Sequence, residues 1–136
     1  MRKITEIIIH CSATREGVYY DEVDIDRWHR NLGWKEIGYH YVVLLNGQIE
    51  RGRAEKDYGA HCYGHNENSI GICYIGGLDN KLEAKDTRTP LQKIALITLL
   101  KKLKEDYPEA KILGHRDTGA QKECPCFDAI KEYENI

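Results

Sequence analysis

Glu6-Ile7-Ile8-Ile9-His10 decides the fold, because a run of β-branched residues favours a buried strand. A second apolar run, Ile112-Leu113-Gly114, lies near the other end of the sequence and also stops at a histidine, His115. If both runs are strands of one sheet, both imidazoles emerge at strand ends, where α/β folds place their functional sites. The loop that follows His115 is long enough to bring Cys124 back beside them.

Three helices are predicted from apolar spacing and from residues typical of helix ends. Apolar residues recur at helical spacing over residues 24–32, and Gly33 is a suitable stop. The stretch Thr89-Pro90-Leu91-Gln92 has the pattern of a capping box and opens a longer helix that we expect to run to about Tyr107. A short third helix is predicted from Asp128.

The remaining strands complete a mixed α/β arrangement. Residues 40–45 and 48–51 flank Asn46-Gly47, a pair typical of a two-residue type I′ hairpin turn. Residues 70–75 form another apolar strand. The element order is then β-α-β-β-β-α-β-α. It predicts a single α/β domain over residues 1–136, with a central mixed sheet of about five strands and helices packed on its faces.

Composition restricts the partners and the compartment. The 136 residues are 41% apolar and 31% charged, an ordinary mix for a soluble domain. A formal net charge of −2 offers no electrostatic footprint for nucleic acid or an anionic membrane. The apolar run at residues 7–9 is too short for a signal peptide, and no run reaches transmembrane length. We therefore expect synthesis in the cytoplasm, no nucleic-acid partner, no membrane insertion and a monomer.

The five cysteines do not have the spacing of a disulfide framework. Cys11 and Cys73 sit in or beside apolar runs, where a free cysteine is usually buried. Cys62 lies in a polar loop, and we expect it to be exposed. Cys124 and Cys126 bracket a proline and are the unusual pair. In a reducing compartment, a thiolate persists as a metal ligand.

His10, His115 and Cys124 offer three metal-competent side chains. Considered only as residue types, they permit two interpretations: three separate structural residues, or three ligands of one zinc ion. Zinc with three protein ligands keeps a fourth position for water, and that arrangement would make the chain a hydrolase. The spacing is long-range, so no short motif decides between the two.

Five motifs in register resemble the zinc-dependent N-acetylmuramoyl-L-alanine amidases of the phage-lysozyme type, which are related to the peptidoglycan recognition proteins. In chain order they are His10-Cys11-Ser12-Ala13-Thr14, Gly38-Tyr39-His40-Tyr41, Asn68-Ser69-Ile70-Gly71-Ile72, Gly114-His115-Arg116-Asp117 and Lys122-Glu123-Cys124-Pro125. The resemblance covers about residue 6 to residue 127. It implies that His10, His115 and Cys124 bind Zn²⁺. It also implies hydrolysis of the amide bond between N-acetylmuramic acid and L-alanine in peptidoglycan.

The same resemblance assigns roles to four further residues. The Tyr39 hydroxyl would act close to the metal, and the Lys122 ammonium would stabilise the oxyanion of a tetrahedral intermediate. His61 and Asn66 would contact the substrate from the wall of the groove. The implied setting is phage or prophage lysis, with the enzyme reaching the cell wall after assisted release from the cytoplasm. No general base is assigned.

Three alternatives remain open from the sequence. The chain could be a non-catalytic module that binds peptidoglycan. It could be a cysteine hydrolase, with Cys124 as nucleophile and His115 as base. It could also hold a structural zinc, which would need a fourth protein ligand, and Cys126 is the nearby candidate. Relatives generally have a small or polar residue at that position after the Cys-Pro pair. The aromatic residues Trp28, His29 and Trp34 are expected to pack in the core or against the first helix.

Overall fold

The computed structural model describes residues 2–136. In chain order its strands and helices are β1 (Glu6–Cys11), β2 (Thr14–Arg15), α1 (Glu22–Asn31), β3 (Tyr41–Val43), β4 (Ile49–Arg51), β5 (Ser69–Tyr74), β6 (Gly77–Leu78), α2 (Pro90–Asp106), β7 (Lys111–Gly114) and α3 (Ala129–Glu132). Two 3₁₀ turns, Asn66–Asn68 and His115–Thr118, lie beside the sheet. Within residues 2–136, no helix combines the length and the hydropathy that crossing a bilayer requires.

The central sheet has five strands in the order β4-β3-β5-β1-β7, which confirms the predicted mixed α/β architecture. Strand β1 lies between β5 and β7 and is parallel to both, whereas β4 pairs antiparallel with β3. In this register Ile8 lies opposite Gly71 on one side and Leu113 on the other, and His10 lies opposite Cys73. The short strands β2 and β6 form a separate parallel pair.

The two faces of β1 have different neighbours because successive side chains point to opposite sides of a sheet. Ile7 and Ile9 belong to the larger core, which α2 and α3 cover. Ile8 and His10 point to the other side, which α1 covers through Ile25. His10 therefore lies on the α1 side of the sheet, beside a smaller core made of Ile25, Ile37, Val42, Leu44, Cys73 and Ile75.

Helices α1 and α2 each begin with a capping box. Helix α2 starts at Pro90 with the predicted capping box, in which Thr89 accepts from the Gln92 backbone and Gln92 accepts from the Thr89 backbone. Helix α1 starts two residues earlier than predicted, because Asp21 and Asp24 form a capping box of their own.

Two local expectations are wrong. The hairpin loop contains three residues rather than two, since Leu44 pairs with Gln48 and the Gly47 amide donates to the Leu44 carbonyl. Gly47 has φ +85°, but Asn46 does not have the positive φ that a type I′ turn requires. Cys62 is only 4% exposed, because its polar loop folds back over the sheet.

An arginine clamp fastens the C-terminal segment to the larger core. The Arg88 guanidinium lies 3.4 Å from the centroid of the Phe127 ring and pairs with Asp86 and Glu132. Arg88 also donates to the Tyr133 hydroxyl. The clamp holds the chain on the C-terminal side of Cys124.

Candidate metal centre

Parallel strands β1 and β7 end at the same edge of the sheet and bring two histidines together. His10 is the penultimate residue of β1, and His115 follows β7 directly. Their ring centroids are 4.5 Å apart. The donor atoms of His10, His115 and Cys124 all lie within 4.8 Å of one another. The structure thus assembles the three residues that the sequence singled out.

The two imidazoles are in the form that binds metal. His10 is 1% exposed, and burial lowers the pKa of its ring well below the usual range, with His61 and His115 adding to the shift. Burial also lowers the pKa of His115, and the charge of Lys122 contributes. Both rings are therefore neutral near pH 7 and keep a lone pair for a cation.

Several contacts hold the Cys124 loop against the sheet. The backbone amide of Cys11 donates to Cys124 Sγ at 3.1 Å, and the Arg116 amide donates to the Cys124 carbonyl at 2.8 Å. Tyr74 donates its hydroxyl to the Pro125 carbonyl at 2.6 Å. Gly114 leaves room for this loop, because a Cβ there would lie 2.6 Å from Pro125 Cδ. The position of the Cys124 sulfur is therefore fixed by backbone contacts.

Cys126 does not join the donor group. Its sulfur lies 4.0 Å from Cys11 Sγ and 3.4 Å from the Gly77 carbonyl oxygen. Burial raises the pKa of the Cys126 thiol to about 12, so it stays protonated near pH 7. The geometry gives no support to Cys126 as a fourth ligand. The remaining donors, two nitrogens and one sulfur, suit zinc in an open site.

Two adjoining cavities lead to the donor group. The inner cavity, of about 280 Å³, is lined by all three donors and by Tyr39. The outer cavity is about 650 Å³. Both are lined by Trp34, Ala60, His61, His115 and Lys122, so together they form one groove.

Tyr39 and Lys122 line the inner cavity and bring two different groups to it, a phenol and an ammonium. The centroid of the half-buried Tyr39 ring lies 5.1 Å from that of His10, and burial raises the pKa of the phenol well above its usual range. The phenol is therefore a hydrogen-bond donor at neutral pH. Lys122 has an exposed side chain, and its charge helps lower the pKa of His10 and of His115. Both residues line the inner cavity together with the three donors.

His61 and Asn66, the two predicted substrate contacts, are engaged within the protein. His61 Nδ1 lies 2.8 Å from His10 Nε2, and His61 Nε2 lies 3.1 Å from Ser69 Oγ. Asn66 lines the outer cavity, but its Oδ1 accepts from the backbone amides of His61 and Cys62. The role of both residues as substrate contacts stays a prediction.

Two aromatic residues that line the outer cavity were not assigned to the groove from the sequence. Trp34 was expected to pack internally, yet it is 37% exposed and lines both cavities. Tyr63 lines the outer cavity and is 99% exposed. The useful signal for Trp34 was its position directly after the helix-stopping Gly33, which puts it on a loop at the edge of the sheet. Trp28 and His29 are partly buried, as expected.

An open His-His-Cys donor group at the ends of parallel strands, with a phenol and an ammonium beside it, is typical of metal-dependent hydrolases. The particular family follows from comparison with known proteins. The chain belongs to the N-acetylmuramoyl-L-alanine amidase family, whose pattern matches residues 1–127.

Individual relatives agree with this assignment along nearly the whole chain. An endolysin of Klebsiella phage KP32 is 37% identical over 133 residues, which are 98% of this chain and 87% of that protein. The solved structure of the amidase LysC from Clostridium intestinale is 30% identical with a TM-score of 0.83, and the match covers 99% of this chain and 87% of LysC. A Drosophila PGRP-LB variant, solved with tracheal cytotoxin, is 26% identical with a TM-score of 0.80, covering 99% and 82%.

Proposed function

We propose that this amidase cleaves the bond between N-acetylmuramic acid and L-alanine at the groove described above, with Zn²⁺ held by His10, His115 and Cys124. The observation that carries the proposal is the convergence of these three donors within 4.8 Å at the inner end of the groove. The whole of residues 1–136 would act as one catalytic domain. When bound, zinc lowers the pKa of coordinated water towards 7 and polarises the scissile carbonyl.

The residues around the donors supply positive charge and a hydrogen-bond donor to the reacting amide. The Lys122 ammonium lines both cavities and can face the negative charge that develops on the carbonyl oxygen. The Tyr39 phenol, kept protonated by burial, can donate a hydrogen bond to the same oxygen. These two groups favour the tetrahedral state over the planar amide, which is the condition for catalysis.

The outer cavity suits an elongated substrate with a sugar and a peptide. Trp34 and Tyr63 present exposed aromatic surface on which a sugar ring can stack. Backbone and polar groups around residues 60–66 can bind the stem peptide. The relative PGRP-LB, solved with tracheal cytotoxin, supports a ligand groove in this fold.

The decisive experiment is digestion of purified peptidoglycan, with and without a chelator. We expect new L-alanine amino termini, no new reducing sugars, and loss of activity on chelation with recovery on adding zinc. New reducing ends would indicate a glycosidase and overturn the proposal. Cleavage that persists in chelator would favour the cysteine hydrolase, and binding to peptidoglycan with no cleavage would favour the recognition module.

Metal analysis tests the ligand set directly. The purified protein should hold one zinc ion per chain, and Cys124→Ser should lose most of it because a hydroxyl is a far poorer zinc ligand than a thiolate. Full zinc occupancy in Cys124→Ser would show that the ligand lies elsewhere.

We also propose that the protein works on the cell wall as a monomer, after synthesis in the cytoplasm and assisted release. The phage endolysin relatives support this setting. Light scattering of the purified protein tests the monomer, and a second copy in solution would contradict it.

A further inference from the structure

Three side chains on neighbouring parts of the fold form a hydrogen-bonded row that ends at a metal donor. His10 Nε2 lies 2.8 Å from His61 Nδ1, and His61 Nε2 lies 3.1 Å from Ser69 Oγ. Ser69, the first residue of β5, is fully buried. The row therefore uses both ring nitrogens of His61 and occupies one ring nitrogen of His10.

The number of protons on the two rings determines which ring donates each hydrogen bond in the row. The 2.8 Å contact between His10 Nε2 and His61 Nδ1 needs one N–H and one lone pair, so one of the two rings must donate and the other must accept. With Nδ1 as acceptor, the Nε2–H of His61 donates to Ser69 Oγ, and His10 donates from its own Nε2–H. His10 then keeps the Nδ1 lone pair for a metal. The opposite direction puts the proton of neutral His10 on Nδ1 and leaves no lone pair there.

Neighbouring residues restrict the position of the His61 ring. A Cβ on Gly71 would lie 2.5 Å from His61 Cδ2, and one on Gly59 would lie 2.6 Å from the same atom. Asn66 Oδ1 fixes the backbone of His61, accepting its amide at 2.9 Å. The ring is thus enclosed by two glycines and anchored through the loop.

We propose that His61 is a positioning residue. Its Nδ1 accepts a hydrogen bond from His10 Nε2–H and thereby sets the tautomer and orientation of this zinc ligand. Asn66 and Ser69 would hold His61 in place for that purpose. This role is an alternative to the substrate contact predicted for His61 and Asn66, and it rests on the zinc site proposed above. Hydrogen-bond partners of this kind commonly change metal affinity by about 10- to 100-fold when they are removed.

The test compares two substitutions at position 61. His61→Leu removes both ring nitrogens, whereas His61→Asn can place its Oδ1 near the position of Nδ1 and accept from His10. We expect zinc affinity, measured by competition with a chromophoric chelator, to fall about 10- to 100-fold in His61→Leu. His61→Asn should recover most of the loss. Asn68→Ala is the matched control, because Asn68 lies in the same loop and its side chain donates only to the Lys3 carbonyl.

A second readout needs no metal. Ring ¹⁵N shifts of His10 in zinc-free protein should show the Nε2–H tautomer in wild type and a mixture of tautomers in His61→Leu. Asn66→Ala should cause a smaller change in the same direction, and Asn66→Asp, which keeps the accepting oxygen, should cause little. These variants keep the test available if His61→Leu does not fold.

The outcomes separate this inference from the proposed function. If wild type binds zinc and His61→Leu binds it equally well, with only KM raised, His61 is a substrate contact and the inference is wrong. If wild type binds no zinc, the proposed function fails. In that case an unchanged His10 tautomer in His61→Leu would also overturn the positioning role, and a changed one would support it.

Discussion

Gly71→Ala is a small change whose effect on the metal centre can be worked out from distances. Gly71 lies on β5 opposite Ile8, under the ring of His61. An added Cβ would lie 2.5, 2.6 and 2.7 Å from His61 Cδ2, Cγ and Nε2, whereas ordinary contact begins at 3.4 Å. The ring must therefore retreat by 0.7 Å (3.4 − 2.7) to 0.9 Å (3.4 − 2.5).

A displacement of this size directed away from His10 is enough to break the contact between the two rings. The 2.8 Å separation between His10 Nε2 and His61 Nδ1 would approach or pass the limit of about 3.5 Å for a hydrogen bond. Overpacking a filled site typically costs about 1–3 kcal/mol of unfolding free energy. Loss of a partner to a ligating histidine lowers metal affinity by about 10- to 100-fold. Gly71→Ala should show both effects.

The assay pairs zinc competition with denaturant unfolding of the zinc-free protein. Ile72→Val is the control, because Ile72 is fully buried on β5 but faces the larger core. It should cost about 0.5–1.5 kcal/mol without changing zinc affinity. If Gly71→Ala binds zinc as tightly as Ile72→Val does, the space above Gly71 does not control the metal centre and the reasoning fails.

Three further predictions concern other parts of the molecule. Lys122→Ala and Tyr39→Phe should each keep zinc content and Tm while lowering turnover by about 100- to 1000-fold, the usual cost of losing one oxyanion donor. Wild-type turnover in both variants would show that neither residue takes part in catalysis. Cys126→Ser should keep zinc content and activity, because its sulfur faces Cys11 and not the donor group; zinc loss would make it a ligand. The hydrogen bond from Arg88 holds the pKa of Glu132 below its usual range, so this contribution to stability is present at neutral pH and is lost as the pH falls through that lowered pKa. Glu132→Gln should accordingly lower Tm at pH 7 by more than it does at pH 3, and an equal drop at both values would contradict the role of the ion pair.

The parts of the fold that the sequence predicted well depend on local rules. A β-branched run identified β1, and a capping box placed the start of α2 at Pro90. The length of the hairpin loop could not be predicted from the sequence, because Asn46-Gly47 is compatible with both a two-residue and a three-residue loop. Helix α2 also packs closely on this loop: a Cβ on Gly47 would lie 2.8 Å from the Leu91 carbonyl oxygen, so position 47 excludes a side chain.

For the site, residue types and strand ends predicted which side chains could meet, but they could not choose metal over three unrelated residues. The resemblance of five motifs made that choice. Neither argument could find the pairing of His10 with His61, because 51 positions separate them and the contact depends on the space that Gly59 and Gly71 leave beside the His61 ring. Trp34 was missed because the helix stop at Gly33 places it on a loop but does not show whether the side chain faces the core or a groove.

The sequence separation of the donors also has a consequence for biosynthesis. His10 comes from the first strand, and the loop contact between Cys11 and Cys124 spans 113 positions. During translation, both edges of β1 can pair only after β5 and β7 have been synthesised, and Cys124 follows β7 in the chain. A nascent chain that stops before Cys124 lacks one of the three proposed metal donors. The architecture therefore makes the proposed metal centre depend on synthesis of the chain as far as Cys124.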